Sequence, residues 1–267
     1  MDANTKTIIV SRFDLSNGEV QKREDTVAIE DSLHVFLGAV HLVSILCSPT
    51  FLKELVVGHL LSEGIVQSVD HIVDIRFDGE HRCSVTLQKT GVETHNIISQ
   101  SFSRLVVSAC GTMGYNSLSE LLTKIELKHL SSWQINASIV KECVCKLNKL
   151  ANTFKKTGGV HAAALFKPNG ELIVLAEDVG RHNAVDKVIG AGSLSGENLE
   201  SCFLALSGRM TGDIVLKAAR VGIPIVSSLA AAIDSGVKLA EKTGVTIVGF
   251  VRGKRMNVYT HPERIKI

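Results

Sequence analysis

Apolar and polar positions alternate in short runs over the first fifty residues, and TKTIIVSRF and EDTVAIEDSL read as strands separated by the turn signal SNGE. LHVFLGAVHLVSILC reads as two more strands turning near Gly38. The period then changes. Ser48-Pro49-Thr50 opens a helix whose Leu52, Leu55, Val56, Leu60 and Leu61 share a face, and Ser62-Glu63-Gly64 ends it. Strands follow at 71–77 and 82–88 around Asp78-Gly79, then the apolar run RLVVSAC and a helix over SLSELLTKIELKHL. Trp133 to Phe154 reads as one long helix with Ile139, Val140, Val144, Leu147, Leu150 and Phe154 near one face. Pro168-Asn169-Gly170 makes 160–166 and 171–176 a β-hairpin, and helical spacing resumes at Ala184. After that the chain alternates: strand 201–208, helix Met210 to Val221, strand 223–228, helix Ser235 to Lys242, strand 245–252. Such alternation predicts a parallel sheet with right-handed crossovers, hence an α/β fold (α+β overall). The pattern divides into an N-terminal α+β part, 1–130, and an α/β part, 131–267.

Composition narrows the class. Of 267 residues, 45% are apolar and 21% charged, enough for a sizeable core, but aromatics are only 4%, so Val, Ile, Leu and Ala must build it. A net charge of +2 with no basic run argues against nucleic acid. The opening MDANTKTIIV has no export signal pattern, and the apolar stretch 33–52 is interrupted by His34, His41 and Pro49, so neither secretion nor a membrane span is expected. The six cysteines (Cys47, Cys83, Cys110, Cys143, Cys145 and Cys202) form no C-x-x-C pair; most should be reduced and buried. Cys143 and Cys145 fall on different faces of their helix, which argues against a shared metal, and no metal site is expected.

Three stretches carry candidate chemistry. In EDVGRHNAVDKVIG, the side chains of Glu177, Asp178, Arg181, His182, Asn183, Asp186 and Lys187 crowd the junction of a strand with a helix N-terminus. Two readings are open: an anion site fed by free N–H groups, or capping with i,i+4 pairs such as Asp178–His182 and Asn183–Lys187. At the carboxyl ends of the later strands, where open α/β sheets bind ligands, lie Ser207-Gly208-Arg209, Ser227-Ser228 and Phe250-Val251-Arg252-Gly253-Lys254-Arg255. Guanidinium forks there suit phosphate. Cys110 sits in the Gly-, Ser- and Thr-rich segment SACGTMGYNS, the setting of a reactive thiol.

TGGVHAA followed by EDVGRHNAVDKVIG, with SPTFLKELVVGHLLSEGIV upstream and FVRGKR downstream, resembles the formate dehydrogenase accessory sulfurtransferase family (FdhD/NarQ) over nearly the whole chain. The resemblance implies a cytidine-deaminase-like α/β domain in the second part. It implies a cytoplasmic sulfur carrier in which Cys110 takes persulfide sulfur from a cysteine desulfurase. The sulfur then passes to the molybdenum cofactor, bis-molybdopterin guanine dinucleotide, for the formate dehydrogenase catalytic subunit. It also implies a homodimer, GDP as a ligand mimic, and a binding set of Phe250, Val251, Arg252, Gly253, Lys254, Arg255, Arg209, His182 and Arg181. The alternative is a non-enzymatic cofactor chaperone. Two departures are visible: Met113 replaces the second loop cysteine, and Leu229 to Asp234 lacks the family's Pro–Thr turn. Zinc deamination needs His-x-Glu and Pro-Cys-x-x-Cys. Here Ala162-Ala163 follow His161 and the second motif is absent, which excludes it.

Overall fold

The computed structural model describes residues 3–79, 81–88, the backbone of 104–106, and 130–267. It opens on an antiparallel hairpin, β1 (Thr5–Phe13) and β2 (Val20–Ala28), paired only with itself and leaving Ile9, Phe13, Leu15 and Val20 exposed. β3 (Asp31–Leu37) and β4 (Val40–Cys47) turn at Gly38, whose φ of 59° suits glycine. Helix α1 (Leu52–Ser62) follows, then β5 (Ile72–Phe77), β6 (Arg82–Leu87) and β7 (Arg104–Val106). These strands form a five-stranded sheet in the order β5-β6-β3-β4-β7.

The expected long helix over 133–154 is broken. Two residues of strand, β8 (Ile135–Asn136), precede α2 (Ala137–Leu150), whose first turn is capped by the Asn136 side chain. The helix then stops at Ala151 (ψ 81°) and restarts as α3 (Asn152–Thr157). The cause is tertiary. The Glu177 carboxylate accepts from the N–H groups of Thr153 (3.0 Å) and Phe154 (2.7 Å), capping a new helix start from across the structure. Periodicity along the segment carries no trace of that contact.

The predicted hairpin is present as β9 (His161–Phe166) and β10 (Leu172–Asp178), and α4 (Arg181–Leu194) starts three residues before the Ala184 that helical spacing suggested. β11 (Phe203–Leu206), α5 (Gly212–Val221), β12 (Ile225–Ser228), α6 (Asp234–Thr243) and β13 (Thr246–Arg252) realise the alternation, with β11, β12 and β13 parallel. A further strand, β14 (Arg255–Val258), folds back antiparallel on β13, and the short β15 (Ile265–Lys266) pairs with β8. The six-stranded sheet has the order β10-β9-β11-β12-β13-β14. The fold is α/β with mixed sheets.

Successive strand residues feed two different cores. Ala162, Ala164 and Phe166, with Phe203, Ala205, Ile225 and Val248, pack on α2 through Val140, Val144 and Leu147. Ala163, Leu165, Leu204, Leu206, Val226 and Ile247 face α4, α5 and α6. The second core does not stop at residue 130: the same cluster takes in Leu55, Val57 and Leu60 of α1 and Leu33, Val35, Val43 and Ile45 of the five-stranded sheet. Each such side chain contributes roughly 1.5–3 kcal/mol by leaving water. Helices α1 and α4 cross with backbones touching. A Cβ on Gly58 would overlap the Asp186 carbonyl, and one on Gly190 would overlap that of Glu54.

Two buried ion pairs fasten α4 to the N-terminal half. Lys187 and Asp178 are both fully buried and 2.6 Å apart. Asp178 also accepts from the N–H groups of Ser48 (3.0 Å) and Gly180 (2.8 Å) and from Asn183 Nδ2 (2.8 Å), while Lys187 donates to the Ser48 carbonyl (3.0 Å). Immediately before Lys187, Asp186 pairs with Lys217 of α5 (2.9 Å) and accepts from Ser62 Oγ of α1 (2.7 Å). Burial opposes the Asp186 charge, but Lys217, His59 and Ser62 outweigh it and its pKa is lowered. In place of the i,i+4 pairs Asp178–His182 and Asn183–Lys187 of the capping reading, Asp178 bonds Asn183 and pairs with Lys187.

Replacing Lys187 with Met strands a buried carboxylate and should cost about 3–5 kcal/mol in urea unfolding. Lys238→Met, which breaks the exposed Lys238–Asp234 pair, should cost about 0.5 kcal/mol or less. Equal losses would show that the Asp178–Lys187 pair is solvated.

Candidate functional site

The parallel strands bring three helix starts to one edge. β10 leads into α4, β11 into α5 and β12 into α6, and none of the three N-cap residues, Gly180, Thr211 and Ile233, makes a side-chain cap. They also touch. Ser235 Oγ of α6 accepts from the N–H of Gly212 in α5 (3.2 Å), and Gly236 lies against the Met210 carbonyl, where a Cβ would collide. A Cβ on Gly208 would stand 3.3 Å from Arg181 Cβ and 3.4 Å from His161 Nδ1. A side chain at Gly208 would crowd Arg181 and His161, so the glycine eases the close approach of the loop after β11 to α4. Partial positive charge from three helices of ten to fourteen residues therefore gathers at one place.

Cations reinforce it. Arg209, Arg252, Lys254 and Arg255 are exposed, and among the described residues none has an acidic partner. Arg252 and Arg255 are register partners across a two-residue turn, Gly253-Lys254, with Gly253 at φ 61°. Like charges directly opposite in a ladder are unfavourable unless an anion lies between them. The hairpin springs from a strained base: Phe250 holds φ 52°, uncommon for a bulky residue, while its N–H bonds the Ala230 carbonyl (3.0 Å) and the Arg252 guanidinium sits 5.2 Å from its ring centroid. The pKa of His161 is lowered, by burial first and then by Arg181 and Arg209.

Not every expected residue faces this edge in the same way. Arg181 opens α4 there, beside Gly208. Val251 is fully buried, so only its backbone is left to meet a ligand. Ser227 and Ser228 are also fully buried; they donate to the Leu204 carbonyl (3.2 Å) and the Gly208 carbonyl (2.6 Å) and so stitch β12 to β11. Of the polar cluster in EDVGRHNAVDK, Glu177, Asp178, Asn183, Asp186 and Lys187 are consumed by capping and buried pairs. Cys110 and Met113 lie outside the described residues.

His182 is the exception within α4. It is 5% exposed and its Nε2 is buried with no hydrogen-bond partner; the nearest carboxylate, Asp213, is 3.9 Å away. Burial, then Lys217 and Arg181, push its pKa down to about 4. Thr211 Oγ1, at the N-cap of α5, is likewise buried and unpartnered. Leaving such a group unsatisfied costs about 1–3 kcal/mol. Thr211 and Asp213 escaped the sequence reading because RMTGDIV carries the signature of an ordinary helix cap.

This arrangement can now be set beside known proteins. Residues 28–266 match the profile of the FdhD/NarQ family. The chain belongs to that family. A sulfur carrier protein FdhD of Saccharolobus solfataricus is 37% identical over 96% of this chain and 98% of its own length. The sulfur carrier protein FdhD of Bacillus subtilis is 33% identical over 93% and 94%. In structure, the chain resembles a formate dehydrogenase accessory protein from Desulfotalea psychrophila with a TM-score of 0.77 and 27% identity, covering 98% of this chain and 99% of that one. Both halves of the fold, and not the carboxyl edge alone, are therefore shared with FdhD/NarQ relatives.

Because the folded His182 titrates near 4 against an ordinary 6.5, acid protonates the unfolded chain first. Its contribution to stability is complete above about 6.5 and is lost as the pH falls toward 4, by at most about 1.4 kcal/mol per pH unit. Wild type should therefore lose stability faster than His182→Gln across that window in urea melts. A His182 midpoint near 6.5 by NMR would mean that the imidazole is hydrated.

Proposed function

We propose that this chain is a sulfur carrier for formate dehydrogenase, with Cys110 as the carrying thiol and the carboxyl edge of the six-stranded sheet as the seat of a molybdenum cofactor cargo. The observation that carries the first half is the state of the other cysteines. Cys47, Cys83, Cys143 and Cys202 are buried, and burial pushes their thiols up to about 12, 11, 11 and 11 respectively. Such thiols are poor nucleophiles. Cys145 alone among the described cysteines is exposed, on α2, which covers the sheet face opposite α4 and α5. The relatives named as sulfur carriers supply the reaction class.

In the loading step the Cys110 thiolate attacks the outer sulfur of a cysteine desulfurase persulfide. The desulfurase sulfur–sulfur bond breaks, its cysteine leaves as a thiolate, and Cys110 becomes the persulfide. The Cys110 sulfur–sulfur bond would then break as the outer sulfur, at the level of neutral sulfur, bonds to the reduced metal of the cargo, bis-molybdopterin guanine dinucleotide; that metal would supply the two electrons that make it a sulfide ligand, and Cys110 would leave as the thiolate. The residues at the edge fit the anionic part of that cargo: Arg209, Arg252, Lys254 and Arg255 have no acidic partner among the described residues, and three helix N-termini whose own N-cap residues make no side-chain cap meet there. Arg181 and His182 complete the set from α4, and the Phe250 hairpin supplies one wall.

The cytoplasm and a homodimer belong to the same proposal; five free thiols among the described residues suit a reducing compartment. The chaperone reading draws on Met113, since a thioether neither carries nor resolves a persulfide.

Incubation with a desulfurase and cysteine, followed by mass spectrometry, separates the two. The carrier should gain sulfur on wild type and on Cys145→Ala but not on Cys110→Ala; sulfur on neither thiol leaves only the chaperone. For the cargo site, Arg255→Ala should weaken GDP by about 10–100-fold in calorimetry, the worth of one charge-assisted contact. Unchanged affinity would remove that residue from the site.

A further inference from the structure

The cations account for an anion but not for the polar groups at the start of α5. Thr211 occupies the N-cap position without capping: its hydroxyl is buried and bonds nothing. Asp213, two residues on, has no lysine or arginine within ion-pair distance among the described residues, and its side chain is only 23% exposed. Among the described residues its ion-pair contact within 4.0 Å is His182 Nε2 at 3.9 Å, itself without a hydrogen-bond partner. An acid placed merely to complement the helix dipole gains from ionising. Here burial, and then Glu63, raise the Asp213 pKa.

What remains is one carboxylate that only accepts when ionised, one neutral imidazole that donates or accepts, and one hydroxyl that does both. Phosphate is a poor match, because the carboxylate repels it. A metal is poorly served by a single carboxylate and a single imidazole, and no metal-holding group of three His, Cys, Asp or Glu occurs among the described residues. A planar edge with two adjacent N–H donors and a neighbouring carbonyl is matched group for group: the donors to the two Asp213 oxygens, the carbonyl to Thr211 or His182.

We propose that Asp213, with His182 and Thr211, takes the 2-amino-4-oxopyrimidine edge that guanine and pterin rings have in common, and so sets which ring this end of the site accepts. This rests on the reading of the carboxyl edge as a cargo site and adds a specificity determinant to it. Removing the ring amino group removes one donor to the carboxylate. Exchanging the carboxylate for an amide replaces one acceptor by a donor, which fits a ring carrying oxygen in that place.

The test is calorimetry of the full chain with GDP, IDP (no 2-amino group), XDP (2-oxo) and 6-hydroxymethylpterin. If guanine is the ring read, wild type should prefer GDP to IDP by about 10–100-fold. Asp213→Asn should lose that preference and gain XDP, a change that a purely structural role would not produce. If the pterin is the ring read, GDP and IDP bind alike and 6-hydroxymethylpterin binds wild type but not Asp213→Asn. The proposal is overturned if GDP and IDP bind alike and the pterin is indifferent to Asp213→Asn. In that case GDP binding that still depends on Arg255 leaves the cargo reading intact, whereas no binding of any of the four ligands removes both.

Discussion

The Asp178–Lys187 pair is the constraint on which the rest of the molecule hangs. A carboxylate and an ammonium sealed from water are costly unless nearly all their hydrogen-bonding capacity is met. Here it is met by groups far apart in the chain: the N–H and carbonyl of Ser48, just past β4, and Glu177, Gly180 and Asn183 around the start of α4. The charges cannot be satisfied unless the five-stranded sheet and the six-stranded sheet are both in place. One requirement thus sets the position of the α4 N-terminus, and with it Arg181 and His182.

Much of this was legible beforehand, and what was legible follows a physical rule. Local periodicity and turn chemistry located β3 to β6, the β9–β10 hairpin and the α5–β12–α6–β13 alternation, because each depends on residues close in sequence. The failures depend on distant ones. The break at Ala151 needs Glu177, the roles of Asp178 and Asp186 need Ser48, Ser62 and Lys217, and the strand β14 needs β13 to fold back upon. In the site, charge was readable at Arg209, Arg252 and Arg255. Burial was not, so the choice between an anion site and capping stayed open for Glu177, Asp178 and Asp186, the buried side chain of Val251 was not foreseen, and Asp213 passed unnoticed.

The carboxyl edge divides its polar groups by whether they are already satisfied. Lys187 and Lys217 are spent on buried carboxylates and hold the scaffold. Arg209, Arg252, Lys254 and Arg255 have no such partner among the described residues. Like charges facing each other at Arg252 and Arg255, and a bulky residue with positive φ at Phe250, are unfavourable in isolation. Both features are concentrated on one hairpin, at the edge where the three helices begin.

The alternation of β9 and β11 between two cores has a consequence for how such a chain can change over generations. Ala162, Ala164 and Phe166 point one way and Ala163 and Leu165 the other, each into a filled space of its own size. A slip of one residue would exchange the two sets entirely. Single insertions or deletions within either strand are therefore closed to drift, while lengthening is open at the Pro168-Asn169-Gly170 turn, away from the edge where the helices begin. The sheet behaves as a fixed ruler: variation can enter at its far end without moving any mark on the end that carries the cations.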